Sequence, residues 1–297
     1  MLRYEPRVSL PERVAGHIEP TGDRIATRLS KPQAESLAGN EVHRKLTVII
    51  PCYNERATIL DVIERVKRLA ADKFIIVIEN CSTDGSRELL RSVCGDERPF
   101  HRSSQHTVDC PPVAGQRWMD GDGFGVLLQP RNLQKGTSVK TGIALANSDY
   151  VICQDADLEY DPNDIMRLLD HAERTGLDAV FGSRLLNRRR LPLSAFEFGR
   201  VALSKIFRVL YRSHITDVAT CYKLMRTNVA RSLQMEASGF DLDFEIPAKL
   251  MKRRHKISEI PISYAPRSRT RGKKVRWWHG FSAVWTLIRL RCVRKTG

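Results

Sequence analysis

Three short hydrophobic stretches, each followed by polar residues, decide the fold of this chain: LTVIIPCYNE at 46–55, FIIVIENCSTDG at 74–85 and YVICQDADLE at 150–159. The hydrophobic part of each stretch is short and rich in β-branched residues, which is typical of a buried strand. Hydrophobic residues recur at helical spacing between these stretches. Alternating strands and helices over this span predict a doubly wound, mostly parallel α/β sheet.

The remaining elements follow from the same patterns. We predict two more strands in this half, at 124–129 and 179–181, whereas residues 95–122, rich in Gly, Pro, Asp and Ser, predict an inserted loop. The rhythm changes after about residue 185, and we expect the later elements to pack on the edge of the sheet and form the second wall of a cleft. Three regions are therefore predicted: an N-terminal extension at 1–44, the α/β domain at 45–265, and a basic loop with an amphipathic helix at 266–297.

The charge balance points to a polyanionic partner. Lys and Arg number 49 against 34 Asp and Glu, which gives a formal net charge of +15 and a pI near 9.8. Nucleic acid, an anionic membrane surface or phosphorylated substrates would each fit. Aromatic residues make up only 7%, and no helix-turn-helix, RRM or zinc-finger pattern is present, so a specific nucleic-acid partner is not expected.

Several classes of protein are disfavoured by the same sequence. No hydrophobic run approaches the roughly 18 residues of a membrane-spanning helix, and the first ten residues do not resemble a signal peptide. The seven cysteines are scattered and form no C-x-x-C pair, which disfavours a disulfide framework or a zinc ribbon. We therefore expect a cytoplasmic protein, with peripheral attachment to a membrane as a possibility that the basic residues favour.

Paired carboxylates after the fourth strand indicate a metal site. Asp155 and Asp157 flank one small residue, and positions i and i+2 of an extended segment point the same way. Close carboxylates repel each other unless a cation lies between them, and hard divalent cations prefer such oxygens. Glu159 continues the phase and is a further candidate ligand. A solvated acidic turn is the alternative, but the position behind a buried strand favours Mg²⁺ or Mn²⁺.

The order of the motifs resembles that of family 2 glycosyltransferases with the GT-A fold. Residues 46–265 carry the resemblance, and they are most similar to the branch that includes dolichyl- and polyprenyl-phosphate mannosyl- and glucosyltransferases. The resemblance implies an inverting transferase that uses a UDP- or GDP-sugar and a divalent cation. The matching segments are VIIPCYNE (48–55), STDGS (82–86), KGTSVKTG (135–142), DAD (155–157), GSR (182–184) and DVATCYK (217–223).

The resemblance also implies roles for individual residues on the donor side. The nucleoside would be bordered by Pro51, Tyr53 and Glu55, and the base would be contacted by Glu79, which stands where relatives usually have Asp. Asp84 would support that wall. Lys135 would approach the diphosphate, and Asp155 and Asp157 would hold the metal against it, with Asp157 in a catalytic role.

The acceptor side is less determined, and two readings stay open. Arg184 stands where this branch contacts the acceptor phosphate, and Arg267, Lys273 and Lys274 belong to a basic loop that would close over it, unless that loop is merely a solvated edge. A lipid phosphate would need no protein base. A saccharide or other hydroxyl acceptor would need a carboxylate, for which Asp241, Asp243 and Glu245 are candidates and Glu245 matches the family position best.

The last helix is the candidate for membrane contact. Phe281, Val284, Trp285, Ile288 and Cys292 share one helical face, and from Ile260 onwards the sequence holds ten Lys or Arg and no Asp or Glu. A basic amphipathic helix with tryptophan suits an anionic membrane interface. The alternative is that this face packs onto the domain.

Overall fold

The computed structural model describes residues 43–100, 113–186, 195–266 and 279–292. Nearly all of the predicted N-terminal extension, and Arg267, Lys273 and Lys274 of the basic loop, lie outside these ranges. The strands are β1 (Arg44–Cys52), β2 (Lys73–Glu79), β3 (Arg98–Pro99), β4 (Arg117–Gly121), β5 (Phe124–Leu128), β6 (Ser148–Cys153), β7 (Ala179–Ser183), β8 (Lys223–Arg226) and β9 (Ile257–Pro261). The helices are α1 (Ile59–Lys67), α2 (Ser86–Ser92), α3 (Gln134–Leu145), α4 (Asn163–Thr175), α5 (Ala195–Tyr211), α6 (Thr227–Ser232), α7 (Leu242–Lys252) and α8 (His279–Cys292).

One sheet of nine strands organises the described residues, in the order β3-β4-β5-β2-β1-β6-β8-β7-β9. The four central strands β5, β2, β1 and β6 are parallel to one another, which confirms the predicted α/β class. Their carboxyl ends therefore meet at one edge of the sheet, where open α/β sheets bind ligands. The polar clusters quoted above stand at those ends.

Helices cover both faces of this sheet. Helix α1 buries Ile59, Val62, Ile63 and Val66, which is the face that the spacing predicted. Helix α3 lies so close to β1 that a Cβ on Gly142 would come within 2.5 Å of the Ile49 side chain. The parallel strands are consequently buried on both sides, which explains their unbroken hydrophobic sequence.

Two predictions about the edges of the sheet were wrong. Residues 95–122 are not only a loop, because β4 forms an antiparallel hairpin with β5 and buries Trp118 and Met119. The later half does not simply pack on the edge, because β8 lies inside the sheet, antiparallel to both β6 and β7. Both strands are short, with polar residues at or beside their ends, so their patterns were too weak to predict the pairing.

One side of helix α8 packs against the domain, and the other side is exposed. Leu287 and Leu290 are buried, whereas Trp285 and Ile288 are exposed. The helix packs against α5, where the Tyr211 hydroxyl donates to the Leu287 carbonyl at 2.9 Å. Within the described ranges, no helix has both the length and the apolar character to span a bilayer.

Candidate active site

The ends of β1 and β2 form one wall of the site through reciprocal hydrogen bonds. The amide of Asn54 donates to Ser82 Oγ at 3.0 Å, and the amide of Thr83 donates to Asn54 Oδ1 at 2.8 Å. Asn54 has a positive φ of 53°, a conformation that asparagine tolerates better than most residues. Pro51, Tyr53 and Glu55 are all partly exposed along this wall.

Asp84 contacts the same wall through its carboxylate. Its carboxylate accepts hydrogen bonds from the Arg56 amide at 3.0 Å and from the Ser86 amide at 2.9 Å. Partial burial would raise the pKa of Asp84, but hydrogen bonds from Ser86 and Arg56 outweigh it and lower that pKa. Asp84 is therefore ionised and links the loop after β1 to the loop after β2.

Glu79 is committed to internal contacts. Its side chain is completely buried, and its carboxylate accepts from the amides of Cys81 (3.2 Å) and Ser82 (2.6 Å) and from Arg87. Arg87 also donates to the Gln129 carbonyl and so joins the ends of β2 and β5. The structure thus gives Glu79 a supporting position, and its expected contact with a base stays a prediction.

Lys135 and Asp155 meet at the centre of the cleft. Lys135 Nζ lies 2.7 Å from Asp155 Oδ1 and 3.8 Å from Asp243 Oδ2. Burial opposes both charges, yet the Lys135 charge outweighs it and lowers the pKa of Asp155, and the Asp155 charge raises the pKa of Lys135 well above its usual range. Both groups therefore stay ionised. Helix α3 brings Lys135 here by a close approach, since a Cβ on Gly136 would lie 2.7 Å from the Ser238 backbone.

The three acidic residues that the sequence predicts as metal ligands differ in their surroundings. Asp155 and Asp157 are partly exposed at the end of β6, and their oxygens suit Mg²⁺ or Mn²⁺. The Glu159 carboxylate accepts a hydrogen bond from the Tyr264 hydroxyl at 2.5 Å, and its role as a further ligand stays a prediction. The three carboxylates do not converge into one cluster, since the only three-ligand group among the described residues is Cys153, Asp155 and Cys221. Binding of a hard cation by Asp155 and Asp157 stays a prediction.

The contacts of Glu245 contradict its predicted role as a base. It is buried and accepts hydrogen bonds from the amides of Glu236 (2.9 Å) and Ala237 (2.7 Å), while Lys249 Nζ lies 2.7 Å away. Its carboxylate therefore holds the loop before α7 and is not available as a base. The carboxylate of α7 that does reach the cleft is Asp243, which lies 3.4 Å from Lys223 Nζ and faces Lys135.

Arg184 forms a buried, two-pronged ion pair with Asp217. Its Nε and Nη2 donate to Asp217 Oδ2 and Oδ1 at 2.6 and 2.9 Å. Burial disfavours the charge of Asp217, but Arg184 outweighs this effect and lowers the pKa of Asp217. The backbone amide of Asp217 donates to Glu259 at 3.0 Å, which fixes the pair against β9.

Arg200 on α5 is the residue that sequence reasoning missed. It is only 5% exposed, and its Nε and Nη2 atoms are buried without a hydrogen-bond partner in the described part of the chain. Its guanidinium carbon lies 5.7 Å from the centre of the Tyr264 ring. Burial and, second, the Arg184 charge lower the pKa of Arg200. The charge of Asp217 offsets this effect only in part. A buried cation with unfilled hydrogen bonds is costly, so this site favours an anionic ligand.

A sequence signal for Arg200 did exist. Arg200, Ser204 and Phe207 stand at helical spacing i, i+4 and i+7, and all three are buried. An arginine in phase with the buried face of a helix is rare unless it has a partner. That signal predicts burial but not the neighbouring residues, because Tyr264 lies more than sixty positions later.

Comparison with known proteins relates this chain to one family in sequence and in fold. The model of the family described as "Glycosyl transferase family 2" matches residues 47–108 and 112–233. The dolichol-phosphate mannosyltransferase of Pyrococcus furiosus is 25% identical over 242 residues, covering 77% of this chain and 59% of that protein. The undecaprenyl-phosphate mannosyltransferase of Micrococcus luteus is 24% identical over 271 residues, covering 83% of this chain and 98% of that protein.

Two further comparisons concern the share of each relative that this chain covers and the fold. Glycosyltransferase AglJ of Haloferax volcanii is 24% identical, and the alignment covers 63% of it, so this chain spans about three fifths of that protein and of the Pyrococcus relative. Glucosyl-3-phosphoglycerate synthase of Mycobacterium tuberculosis, crystallised with UDP, has a TM-score of 0.58 over 88% of this chain and 85% of that chain. Its sequence identity is 17%, so this likeness shows the GT-A fold alone.

Proposed function

The chain belongs to glycosyl transferase family 2, and from this membership we propose that it moves a hexose from a nucleotide sugar to the phosphate of a polyprenyl or dolichyl phosphate. The donor would carry UDP or GDP, and the anomeric carbon would be inverted. The names of the relatives from Pyrococcus and Micrococcus support a lipid-phosphate acceptor. So does the mycobacterial polyprenol monophosphomannose synthase, which is 23% identical over 75% of this chain.

Arg200 is the observation that carries the proposal. Two of its buried nitrogen atoms make no hydrogen bond within the described residues, and Asp217, the carboxylate that attracts it, is already paired with Arg184. Both guanidinium groups lie against the Tyr264 ring, at 5.7 and 5.0 Å. A phosphate would supply the missing negative charge and accept several hydrogen bonds from one arginine. A neutral sugar hydroxyl would supply no such charge.

On the donor side, the proposal assigns the wall at 51–55 and 79–84 to the nucleoside and Lys135 to the diphosphate. Asp155 and Asp157 would hold Mg²⁺ or Mn²⁺, which when bound stabilises the negative charge of the leaving diphosphate. The mycobacterial synthase has been crystallised with UDP and either Mn²⁺ or Mg²⁺, which supports this assignment. The charge of Arg184 acts on Asp155 as well, so the donor and acceptor sides adjoin.

The reaction would need no protein base. A phosphate monoester has a second pKa near 6 and is largely a dianion at pH 7. One of its oxygens would form the new bond to the anomeric carbon as the bond from that carbon to the diphosphate oxygen breaks. Arg200 and Arg184 would position the acceptor for this attack, and Lys135 would stabilise the departing nucleoside diphosphate.

A membrane surface would present such a lipid, and α5 and α8 offer a face for it. Most of the exposed large hydrophobic residues lie on these two packed helices: Phe198, Ile206 and Val209 on α5, and Trp285 and Ile288 on α8. Lys205 and Arg208 on α5 and Arg289 on α8 are exposed as well, and α8 contains no acidic residue. We assign this two-helix face to an anionic bilayer at the cytoplasmic side.

A saccharide or other hydroxyl acceptor is the second candidate, and Asp243 is the observation that favours it. This carboxylate stands in the cleft between two lysines and could take the proton from a hydroxyl. Under this alternative Asp243→Asn would abolish transfer, whereas transfer to a lipid phosphate would survive it.

An acceptor panel tests the proposal. Purified protein with Mn²⁺ or Mg²⁺ would be offered labelled UDP- and GDP-hexoses together with polyprenyl phosphates, neutral oligosaccharides and 3-phosphoglycerate. We expect transfer to polyprenyl phosphate with inversion. Transfer to a neutral saccharide, with none to any polyprenyl phosphate, would refute the proposal and favour Asp243 as the base.

A further inference from the structure

Two cysteines lie beside Asp155 at the end of β6. Cys153 is the last residue of β6, and Cys221 comes just before β8, which pairs with β6 in the antiparallel direction. The two sulfur atoms and one carboxylate oxygen of Asp155 all lie within 4.8 Å of one another. Cys221 Sγ also lies 3.5 Å from the Cys153 carbonyl, so the pairing of the strands holds the group together.

We propose that Cys153, Asp155 and Cys221 form a binding site for a thiophilic divalent cation such as Zn²⁺. Zinc is bound by cysteine sulfur and carboxylate oxygen, and in a tetrahedral site the ligand atoms lie roughly 3.5 Å apart. Side-chain movements of about 1 Å would therefore complete the first three positions. A water molecule or a phosphate oxygen would take the fourth. Mg²⁺ prefers oxygen ligands alone, so the two thiols select a softer cation than the donor site does.

The surrounding charges suit such a cation. Each thiol would release its proton to solvent as its sulfur binds the cation, and the two thiolates with Asp155 would carry three negative charges. The cation supplies two positive charges. Lys135 supplies the third, because its Nζ lies 2.7 Å from Asp155 Oδ1 and 3.9 Å from Cys221 Sγ. The complex would thus be neutral overall, which matters because Cys221 is only 5% exposed.

The position of this site gives it a regulatory consequence. This consequence rests on the proposed function, in which Asp155 and Lys135 both serve the nucleoside diphosphate. A cation held by the two sulfurs would keep Asp155, and with it Lys135, away from the donor. Zinc would therefore inhibit binding of the donor, and the inhibition would depend on the two thiols.

Cobalt is a spectroscopic probe for this site, because thiolate ligands to Co²⁺ give intense near-ultraviolet charge-transfer absorption and oxygen ligands do not. With the thiols kept reduced by a phosphine, we expect one equivalent of Co²⁺ to produce this absorption in the wild type and Zn²⁺ to abolish it. Cys153→Ser and Cys221→Ser should each lose most of the band. Cys94→Ser, at a partly buried thiol outside the site, is the matched control and should keep it.

The outcomes decide the proposal clearly. A wild type without the band, or a full band in either single variant, would overturn the cation site. Cys153→Ala and Cys221→Ala replace the serine variants if thermal melting shows that serine disturbs the fold. Binding of UDP or GDP with Mn²⁺ is then measured with and without Zn²⁺. Nucleotide affinity unchanged by Zn²⁺ would overturn the inhibitory role, whereas a wild type that binds no nucleotide at all would refute the proposed function and leave the cobalt result standing.

Discussion

Arg184 and Arg200 lie against the same aromatic ring, that of Tyr264, and within the described residues only Arg184 forms an ion pair with an acid. The Arg184 guanidinium is held by Asp217 in two hydrogen bonds. Two nitrogen atoms of Arg200 are buried without a partner in the described ranges. The first cation is therefore part of the framework, and the second is available to a ligand that brings its own negative charge.

Replacement of Arg200 should raise the stability of the protein and lower its activity. Arg200→Met removes a buried charge that Asp217 offsets only in part, so the free energy of unfolding should rise by about 1–3 kcal/mol. The same variant should lose about 10- to 100-fold in kcat/KM for a phosphate acceptor, since hydrogen bonds to charged groups contribute roughly 1.5–3 kcal/mol. Urea denaturation and initial rates would measure both. Arg68→Met, at an exposed arginine just after α1, should change neither; equal losses in both variants would contradict the role of Arg200.

Removal of the Asp217 charge should destabilise the fold. Asp217→Asn leaves the Arg184 charge buried with a weaker partner, which should cost about 3–5 kcal/mol. The pKa of Asp217 is lowered in the folded state, so the pair contributes fully above the unfolded value, near 4, and its contribution is lost as the pH falls through the folded value. Urea midpoints at pH 7 and pH 3 should therefore differ less in the variant than in the wild type. If the variant and the wild type show the same pH dependence, the Asp217–Arg184 pair does not cause the loss of stability at low pH.

The donor metal should depend on Asp157. Asp157→Asn should abolish Mn²⁺-dependent binding of UDP or GDP, because a neutral amide is a poor ligand for a hard cation. Calorimetric titration with and without Mn²⁺ measures this, and thermal melting checks the fold. Asp170→Asn, at an exposed carboxylate of α4 paired with Arg174, is the control. Full metal-dependent binding in Asp157→Asn would remove that residue from the site.

Glu79 and Arg87 can be compared to decide between a base contact and a supporting role. If Glu79 acts through its buried pair with Arg87, Glu79→Gln and Arg87→Gln should lower stability by similar amounts, about 3 kcal/mol, and weaken nucleotide binding together. If Glu79 also contacts the base, only Glu79→Gln should show an extra loss of affinity. Calorimetry with free UDP and GDP, after correction for the folded fraction, distinguishes the two results.

The face formed by α5 and α8 should bind anionic vesicles. Val209→Asp and Trp285→Asp should each weaken sedimentation with phosphatidylglycerol vesicles about tenfold or more, because burial of such a side chain contributes roughly 1.5–3 kcal/mol. Added salt should also weaken vesicle binding by the wild type, because the Debye length falls to about 3 Å at 1 M. Val93→Asp, at an exposed valine outside these helices, serves as the control. Unchanged binding in both test variants would place the membrane contact elsewhere.

The sequence predicted the parallel core because its features are local. A buried strand such as β1 carries its hydrophobic run and its polar end in consecutive residues, so position and direction can both be derived. Glu245 was assigned wrongly because its partners, the Glu236 and Ala237 amides, are brought to it by tertiary packing. The hydrogen bond from Tyr264 to Glu159 could not be predicted for the same reason. Arg200 was missed for the same reason. Its lack of a partner is a property of the folded neighbourhood, and no spacing within α5 reveals it.

The central claim is that the acceptor is recognised through its phosphate, and a matched pair of lipids tests it most directly. Initial rates of hexose transfer would be compared for a polyprenyl phosphate and the polyprenol of the same chain length, in the same detergent and with the same nucleotide sugar. We expect transfer to the phosphate only, and a loss of about 10- to 100-fold for that substrate in Arg200→Met. Equal transfer to the polyprenol, or wild-type transfer to the phosphate by Arg200→Met, would contradict the account.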